Sequence, residues 1–221
     1  MREAAFRYVA ERAVLVEFDD TISDEVNRVV IALDRAIAGA EIAGVVEVIP
    51  ALVNLLVVFD PLVTDHAAVE AGVRRLLPLD DVSGGGGTVH EIDVCYGGEF
   101  GQDLEAVAEA RGISAEEVIA AHVGSELTVS MYGFAPGFAY LSGLPEAIRV
   151  PRKPAALRDI PAGSIIIAGP QCLVTSIVMP TGWSIIGRSP TEIIRPDADK
   201  PFRFDVGDRV VFRRVGPEAL A

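Results

Sequence analysis

The sequence predicts an α+β protein in two parts: a small N-terminal sandwich of sheet and helices, then a strand-rich C-terminal part. Three observations predict it. Short apolar runs alternate with helically spaced apolar residues up to residue 82, glycines crowd residues 83–88, and beyond Ile148 short apolar runs recur evenly between Gly and Pro.

In the first part, residues 6–11 and 13–18 read as strands about a turn. Ser23 can cap a helix in which Val26, Val29, Val30, Leu33 and Ile37 recur at helical spacing, with Gly39 as its stop. Strands follow at 45–49 and 52–59, separated by Pro50, and the second is apolar enough to be central. Val69, Val73, Leu76 and Leu77 form another helical stripe, closed by Pro78. This order places both helices on one face of a sheet. The run Gly84–Gly87 lacks the lysine and hydroxyl of a phosphate-binding loop and no helix follows it. It reads as a flexible linker, dividing the chain into 1–82, a linker over 83–88, and 89–221.

In the second part, 89–96 alternates as a strand, with Ile92, Val94 and Tyr96 on one side. Helices are expected at about 101–110 and 115–123, the second opened by a capping box of Ser114 and Glu117, with Gly112 and Gly124 at the two ends. A strand over 127–132 leads into Gly133-Phe-Ala-Pro-Gly-Phe-Ala-Tyr-Leu-Ser-Gly-Leu-Pro145, where glycines and prolines among aromatics dictate an ordered loop. Short runs at 165–168, 172–178, 183–186, 192–195 and 206–212 read as the strands of a barrel or compact mixed sheet, and the tail beyond Arg214 as loose.

Composition excludes several classes of partner. A 221-residue chain with 50% hydrophobic residues can bury a substantial core, and its formal charge of −13 opposes nonspecific binding to nucleic acid or to an anionic membrane. The first residues carry charges and no apolar run, and no 18-residue apolar segment occurs, so a cytoplasmic protein is expected. His66, His90 and His122 are scattered without metal-ligand spacing, and Cys95 and Cys172 make neither a disulfide framework nor a metal cluster.

The residues able to carry chemistry are few. His122 lies on or beside the apolar stripe of its helix; it is either a half-buried core residue or a group that titrates near neutrality. Arg149, Arg152, Lys153 and Arg158 form a basic cluster, either a solvated loop or the contact for a carboxylate, phosphate or acidic partner. Gln171 can read a ligand amide or brace a turn. Arg188, after Trp183-Ser-Ile-Ile-Gly, is a candidate anion anchor at a strand end. The glycine-aromatic loop either lines a ligand site or plugs a barrel end.

Six stretches taken in order carry a resemblance: Val94–Gly101, Glu117–His122, Gly133–Pro145, Pro161–Gly169, Gly182–Pro190 and Gly207–Arg209. With them the chain resembles, over nearly its whole length, the KipI family, also called allophanate hydrolase subunit 1 or the 5-oxoprolinase B subunit. The resemblance implies a small N-terminal α+β domain and a C-terminal domain similar to the cyclophilin barrel. It implies a subunit of a heteromeric, ATP-dependent amidohydrolase that opens 5-oxoproline to glutamate or acts on a related small amide. The partners so implied are a KipA-like (allophanate hydrolase subunit 2) protein and a third subunit of the LamB/YcsF type, with ATP in the assembled complex. Two other readings stay open: a regulatory module such as a histidine-kinase inhibitor, and a component related to the carboxyltransferase part of urea carboxylase.

Carried onto this sequence, the resemblance makes His122 and Gln171 the catalytic candidates. It makes Phe134, Pro136, Gly137, Phe138, Tyr140 and Arg188 the substrate-binding ones; Arg149, Arg152 and Arg158 of the basic cluster read above remain a contact for a partner or anion. The chain departs from the family pattern at Pro50–Asn54, Ala155–Leu157, Gly169–Ser176 and Thr181, where relatives carry an aromatic hydroxyl, arginines and extra glycines.

Overall fold

The computed structural model describes residues 4–79, 82 and 87–220. The chain divides into two compact units, Met1–Gly86 and Gly87–Ala221. Of the expected linker, residues 83–86 lie outside the described residues.

In the first unit, strands β1 (Ala5–Val9), β2 (Ala13–Glu17), β3 (Val45–Pro50) and β4 (Asn54–Phe59) form an antiparallel sheet in the order β1-β2-β4-β3. Helices α1 (Asp24–Ala40) and α2 (His66–Arg74) share one buried cluster with it, joining Val14, Val16, Leu55, Val57 and Phe59 to Val30, Leu33, Val69 and Val73. Every second residue of β4 therefore faces the helices, as a strand's two-residue period requires. The Ser23 hydroxyl accepts from the Val26 amide at 3.2 Å and Asp65 caps α2 in the same way at 2.8 Å. One expectation fails in detail. The left-handed residue ending α1 is Glu41, at φ 45°, and Gly39 lies inside the last turn.

The second unit is a closed barrel in the order β10-β7-β6-β13-β5-β12-β9, with β10 returning to β9. Its strands are β5 (Val89–Tyr96), β6 (Glu126–Tyr132), β7 (Ala139–Ser142), β9 (Ser164–Ala168), β10 (Gln171–Val174), β12 (Ser184–Arg188) and β13 (Arg209–Arg214). The pairing of β13 with β5 is parallel, and every other barrel pair is antiparallel. A separate two-stranded sheet joins β8 (Leu157–Ile160) to β11 (Met179–Thr181). Helices α3 (Leu104–Arg111) and α4 (Ala115–Val123) bury Leu104, Val107, Val118 and Ile119 in the same core as the inner faces of the strands. Among the described residues, no helix is long and apolar enough to cross a membrane.

Expected and observed elements of this unit differ where the backbone is pinned from a distance. The stretch expected to open α3 at 101 is a turn, because Gly101 donates to the Gly97 carbonyl and sits so close to Ile186 that a Cβ would lie 2.1 Å from that residue's oxygen. The run 206–212 begins as a turn, with β13 starting at Arg209. Buried Asp208 accepts from the Thr88 and Asp205 amides and pairs with His90, each at 2.8 Å. Instead of a strand at 192–195 there is a single bridge between Ile194 and Phe202. The run 172–178 is cut to β10, followed by β11. The tail is not loose: Val215 donates to the Val94 carbonyl and a 3-10 turn follows at Pro217–Leu220.

Both halves of the capping box on α4 are made: the Glu117 amide donates to the Ser114 hydroxyl and the Ser114 amide to the Glu117 carboxylate. Ser114→Ala is expected to lower stability by about 1 kcal/mol. Ile167→Ala, which empties part of the barrel interior, is expected to lower it by about 2–5 kcal/mol. Urea denaturation of the two variants against the parent measures both.

Candidate functional site

Alternation along the strands creates two apolar surfaces. Ile165 and Ile167 of β9, Cys172 and Val174 of β10 and Ile186 of β12 point into the barrel. Ile166, Ala168, Leu173 and Ile185 lie on the opposite, outer side of the same strands, where they pack with Phe138, Met179 and Trp183. Burial on both faces is why β9 reads as one unbroken apolar run.

The glycine-aromatic loop folds onto this outer surface through two turns. The Ala135 amide donates to the Gly133 carbonyl at 2.8 Å, a γ-turn about Phe134, whose φ of 69° is left-handed for a residue with a bulky side chain. The Phe138 amide donates to the Ala135 carbonyl at 3.0 Å, with Pro136 and Gly137 between them. Proline first and a glycine at φ 68° second make a type II turn. At Gly137 a Cβ would lie 3.0 Å from Ile194 and 3.3 Å from Phe202, so bulk as well as φ favours glycine. The Ser176 hydroxyl donates to the Pro136 carbonyl at 2.7 Å and ties the turn to the segment after β10.

The result is a row of rings. Phe134, 72% exposed, touches Phe138 with ring centroids 5.3 Å apart; Phe138 touches Tyr140 at 5.4 Å, and Tyr140 touches Trp183 at 6.1 Å. The Arg152 guanidinium stands 5.5 Å from the Trp183 ring centroid. These residues border a pocket of about 310 Å³ together with Lys153, Ala156 and Thr181. Its two cations differ. Lys153 is ion-paired to Asp103, whose carboxylate also accepts from the Ile185 amide at 2.7 Å. Arg152 is exposed and, among the described residues, has no carboxylate in ion-pair range.

The structure thus brings together Phe134, Phe138, Tyr140 and Arg152 in one pocket, with Pro136 and Gly137 shaping the turn behind it. It does not bring the other candidates there. Arg149 donates to the Leu144 carbonyl at 2.8 Å, and Arg158 is exposed on β8. Gln171 is half-buried at the start of β10, opposite Ala168 and Ser142. Arg188 borders a second hollow. Reasoning from the sequence included Lys153 in the basic cluster but missed Trp183 and Asp103; a lone tryptophan followed by an apolar strand was the available signal for the first.

His122 requires a correction. It is 0% exposed, inside the barrel, against Phe212 with ring centroids 4.2 Å apart. Its Nδ1 lies 2.7 Å from the Tyr96 hydroxyl and its Nε2 3.4 Å from the Cys172 sulfur, so either neutral tautomer satisfies both ring nitrogens. Cys172 and Leu173 point to opposite faces of β10, so the barrel wall stands between this imidazole and the aromatic pocket. Burial pushes its pKa down to about 3 and pushes the Tyr96 hydroxyl and the Cys172 thiol up, keeping all three groups neutral. The expectation that His122 reaches substrate does not fit this geometry. Among the described residues, no three His, Cys, Asp or Glu side chains gather to hold a metal ion.

Comparison with known proteins places these features. Residues 4–204 match the family model described as carboxyltransferase domain, subdomain C and D. The chain is 37% identical over 218 residues to the 5-oxoprolinase B subunit of Bacillus subtilis (strain 168), covering 94% of this chain and 91% of that one. Among solved structures, TTHA0988 superposes with a TM-score of 0.81 at 32% identity over 93% of this chain, which spans only 40% of that one. Kluyveromyces lactis urea carboxylase shares the fold, with a TM-score of 0.72 at 16% identity over 98% of this chain and 22% of that one.

The sealed imidazole sets a dependence on pH. Its folded pKa lies below the unfolded value near 6.5, so the stabilisation from keeping it neutral is full above that value and drains away as pH falls toward about 3. Asp34, in the other unit, works the opposite way, because burial raises its carboxyl to about 6 and favours folding below that pH. Comparing variants cancels the Asp34 contribution. In His122→Gln, the loss of stability between pH 7 and pH 4 is expected to be smaller than in the parent by about 2–3 kcal/mol. Denaturant titrations across that range measure it, and identical slopes would mean that the ring is not held neutral.

Proposed function

The chain belongs to the carboxyltransferase subdomain C and D family and to the lineage of the 5-oxoprolinase B subunit, and we propose that it seats a small cyclic amide within an ATP-dependent amidohydrolase. The observation that carries this reading is the aromatic pocket on the outer wall of the barrel, with Arg152 as its one cation without a carboxylate in ion-pair range among the described residues. The substrate is 5-oxoproline or a related cyclic amide. A flat lactam ring fits between Phe138, Tyr140 and Trp183, and the carboxylate it carries meets Arg152.

Opening the ring adds water across its amide C–N bond, which resonance stabilises. ATP, as co-substrate of the assembled complex, would phosphorylate the carbonyl oxygen with release of ADP and so make the carbon electrophilic. Attack by water, cleavage of the C–N bond and loss of phosphate would then give the open amino acid. This chain contributes binding and orientation. The Phe134 amide, on a residue that borders the pocket, has no acceptor among the described residues and is the loop's candidate donor to a developing oxyanion. With His122 sealed away, the base that activates water comes from another subunit.

The rim supports a second subunit. Phe134 and Val178 are 72% and 63% exposed, and Ile177 and Leu157 are exposed nearby in the chain segments that border the pocket. A partner related to allophanate hydrolase subunit 2 would cover these side chains and exclude bulk water, and a LamB/YcsF-like protein completes the set. Three of the four departures from the family pattern, those at 155–157, 169–176 and 181, fall here as well. Ala156 and Thr181 line the pocket, Leu173 packs behind it, and the Thr181 hydroxyl accepts from the Trp183 amide at 3.1 Å, which a glycine could not do. Leu173 and Thr181, each in place of a glycine, add bulk at the pocket and bear on which amide is preferred.

The test is co-purification with the subunit-2-like partner, then glutamate release from 5-oxoproline with and without ATP and the third subunit. ATP-dependent release only from the full set is expected. Arg152→Met is expected to raise KM about tenfold with little change in kcat, the loss of one solvent-exposed charge-assisted contact. A stable complex that releases no glutamate would discard this substrate, and an unchanged KM would remove Arg152 from the site.

A further inference from the structure

A second hollow, of about 450 Å³, lies between the Pro161–Gly163 turn, the end of β10 and the segment after β12. Arg188, Ser189, Thr191, Thr175, Ser176 and Gly163 border it. Where the aromatic pocket is walled by rings, this one gathers hydroxyls, backbone and a guanidinium on one side, with Ile193, Ile194, Ala219 and Leu220 as its apolar side.

Its backbone is tightly held. The Ser189 amide donates to the Gly163 carbonyl at 2.8 Å, and a Cβ on Gly163 would lie 2.3 Å from the Ser189 oxygen, so only glycine lets the two strands approach this closely. The Thr175 hydroxyl accepts from the Ser164 amide at 2.9 Å and donates to the Pro161 carbonyl at 2.8 Å. Against this fixed wall, donors are left over. The Ser189 hydroxyl accepts from the Thr191 amide at 3.1 Å, which leaves its own proton to give, and the Thr191 hydroxyl has no partner among the described residues.

The electrostatics are as telling. The other arginines near the barrel strands' ends are matched to acids: Arg209 to Glu126 at 3.0 Å, Arg213 to Asp93 at 2.7 Å and Arg214 to Glu116 at 2.6 Å. In a chain of net charge −13, Arg188 is half-buried with no carboxylate in ion-pair range among the described residues. Exposed Glu192 also borders the hollow yet does not pair with it.

We propose that the Arg188 hollow is a phosphate-binding site, separate from the aromatic pocket, and that its occupancy is felt in that pocket through Ser176 and Gly137. A guanidinium fork beside two free hydroxyl protons offers more donors than the two oxygens of a carboxylate use well. The three terminal oxygens of a phosphoryl group match them. Ser176 borders the hollow and also holds the Pro136 carbonyl, and Ile194 borders it and packs on Gly137. A ligand that draws these residues in moves the turn that carries Phe134 and Phe138.

The inference stands apart from the lactam reading, because it is tested on the full chain alone, without turnover. Inorganic phosphate, pyrophosphate and adenosine diphosphate, with acetate as the carboxylate control, are titrated by calorimetry at fixed ionic strength. In parallel, emission is followed from Trp183, the protein's one tryptophan, which lies in the other pocket. Pyrophosphate is expected to bind and acetate not to. Arg188→Met is expected to weaken pyrophosphate at least about tenfold, Arg188→Lys to restore part of the loss, and Glu192→Gln to strengthen binding about twofold. Ser176→Ala is expected to keep the affinity and lose most of the Trp183 response. Tighter binding of adenosine diphosphate than of pyrophosphate identifies a nucleotide as the source of the phosphate; equal affinities identify free phosphates; both support the site. Absence of binding by every phosphate, equal binding of acetate, or affinities unchanged in both Arg188→Met and Thr191→Val overturns it. A Trp183 response that survives in Ser176→Ala overturns the coupling.

Discussion

The barrel wall of β9, β10 and β12 is buried on both faces, and the layout of the C-terminal unit follows from that. A strand that must satisfy an apolar interior and an apolar exterior has no polar side to spare. Its hydrogen bonds are made to its neighbours and its side chains are shared between two cores. The interior core includes α3 and α4. The exterior one needs a cover, which the aromatic loop and the small β8–β11 sheet provide. Where the cover is incomplete, a pocket remains. The same wall separates a sealed histidine on one side from exposed rings on the other.

Much of this architecture was legible in the sequence because it rests on local rules. The cap at Ser23, the capping box at Ser114, the order of elements in the first unit and the turn chemistry of Pro136-Gly137 are all set by residues within a few positions of one another. What stayed hidden depends on distant partners. Strand β7 hides inside a stretch that glycine and proline make look like pure loop. The β8–β11 pair carries Arg158, Asp159 and Pro180, which no strand pattern favours.

The candidate site was legible in its residues and only partly in its geometry. Three rings of the aromatic row, Phe134, Phe138 and Tyr140, fall within a few positions of one loop and so were visible, whereas Trp183 comes from just before β12 and was not. The difference between Arg152 and Lys153 depends on Asp103, some fifty residues away, and adjacency in sequence cannot show it. The stripe position of His122 made burial one of two readings. The decision between them comes from Tyr96, Cys172 and Phe212, contributed by three different strands.

The backbone at Phe134 carries a tension between folding and use. A left-handed φ suits glycine or asparagine, and replacing phenylalanine with either would relax the loop by about 1 kcal/mol. Yet such a change would remove a ring that is mostly in water and contributes little to the core. Drift under selection for stability alone would therefore erode this position first. Among orthologues, the identity of the residue at this point should record whether the loop still meets a ligand or a partner, and a lineage in which it meets neither should betray it here while its barrel remains intact.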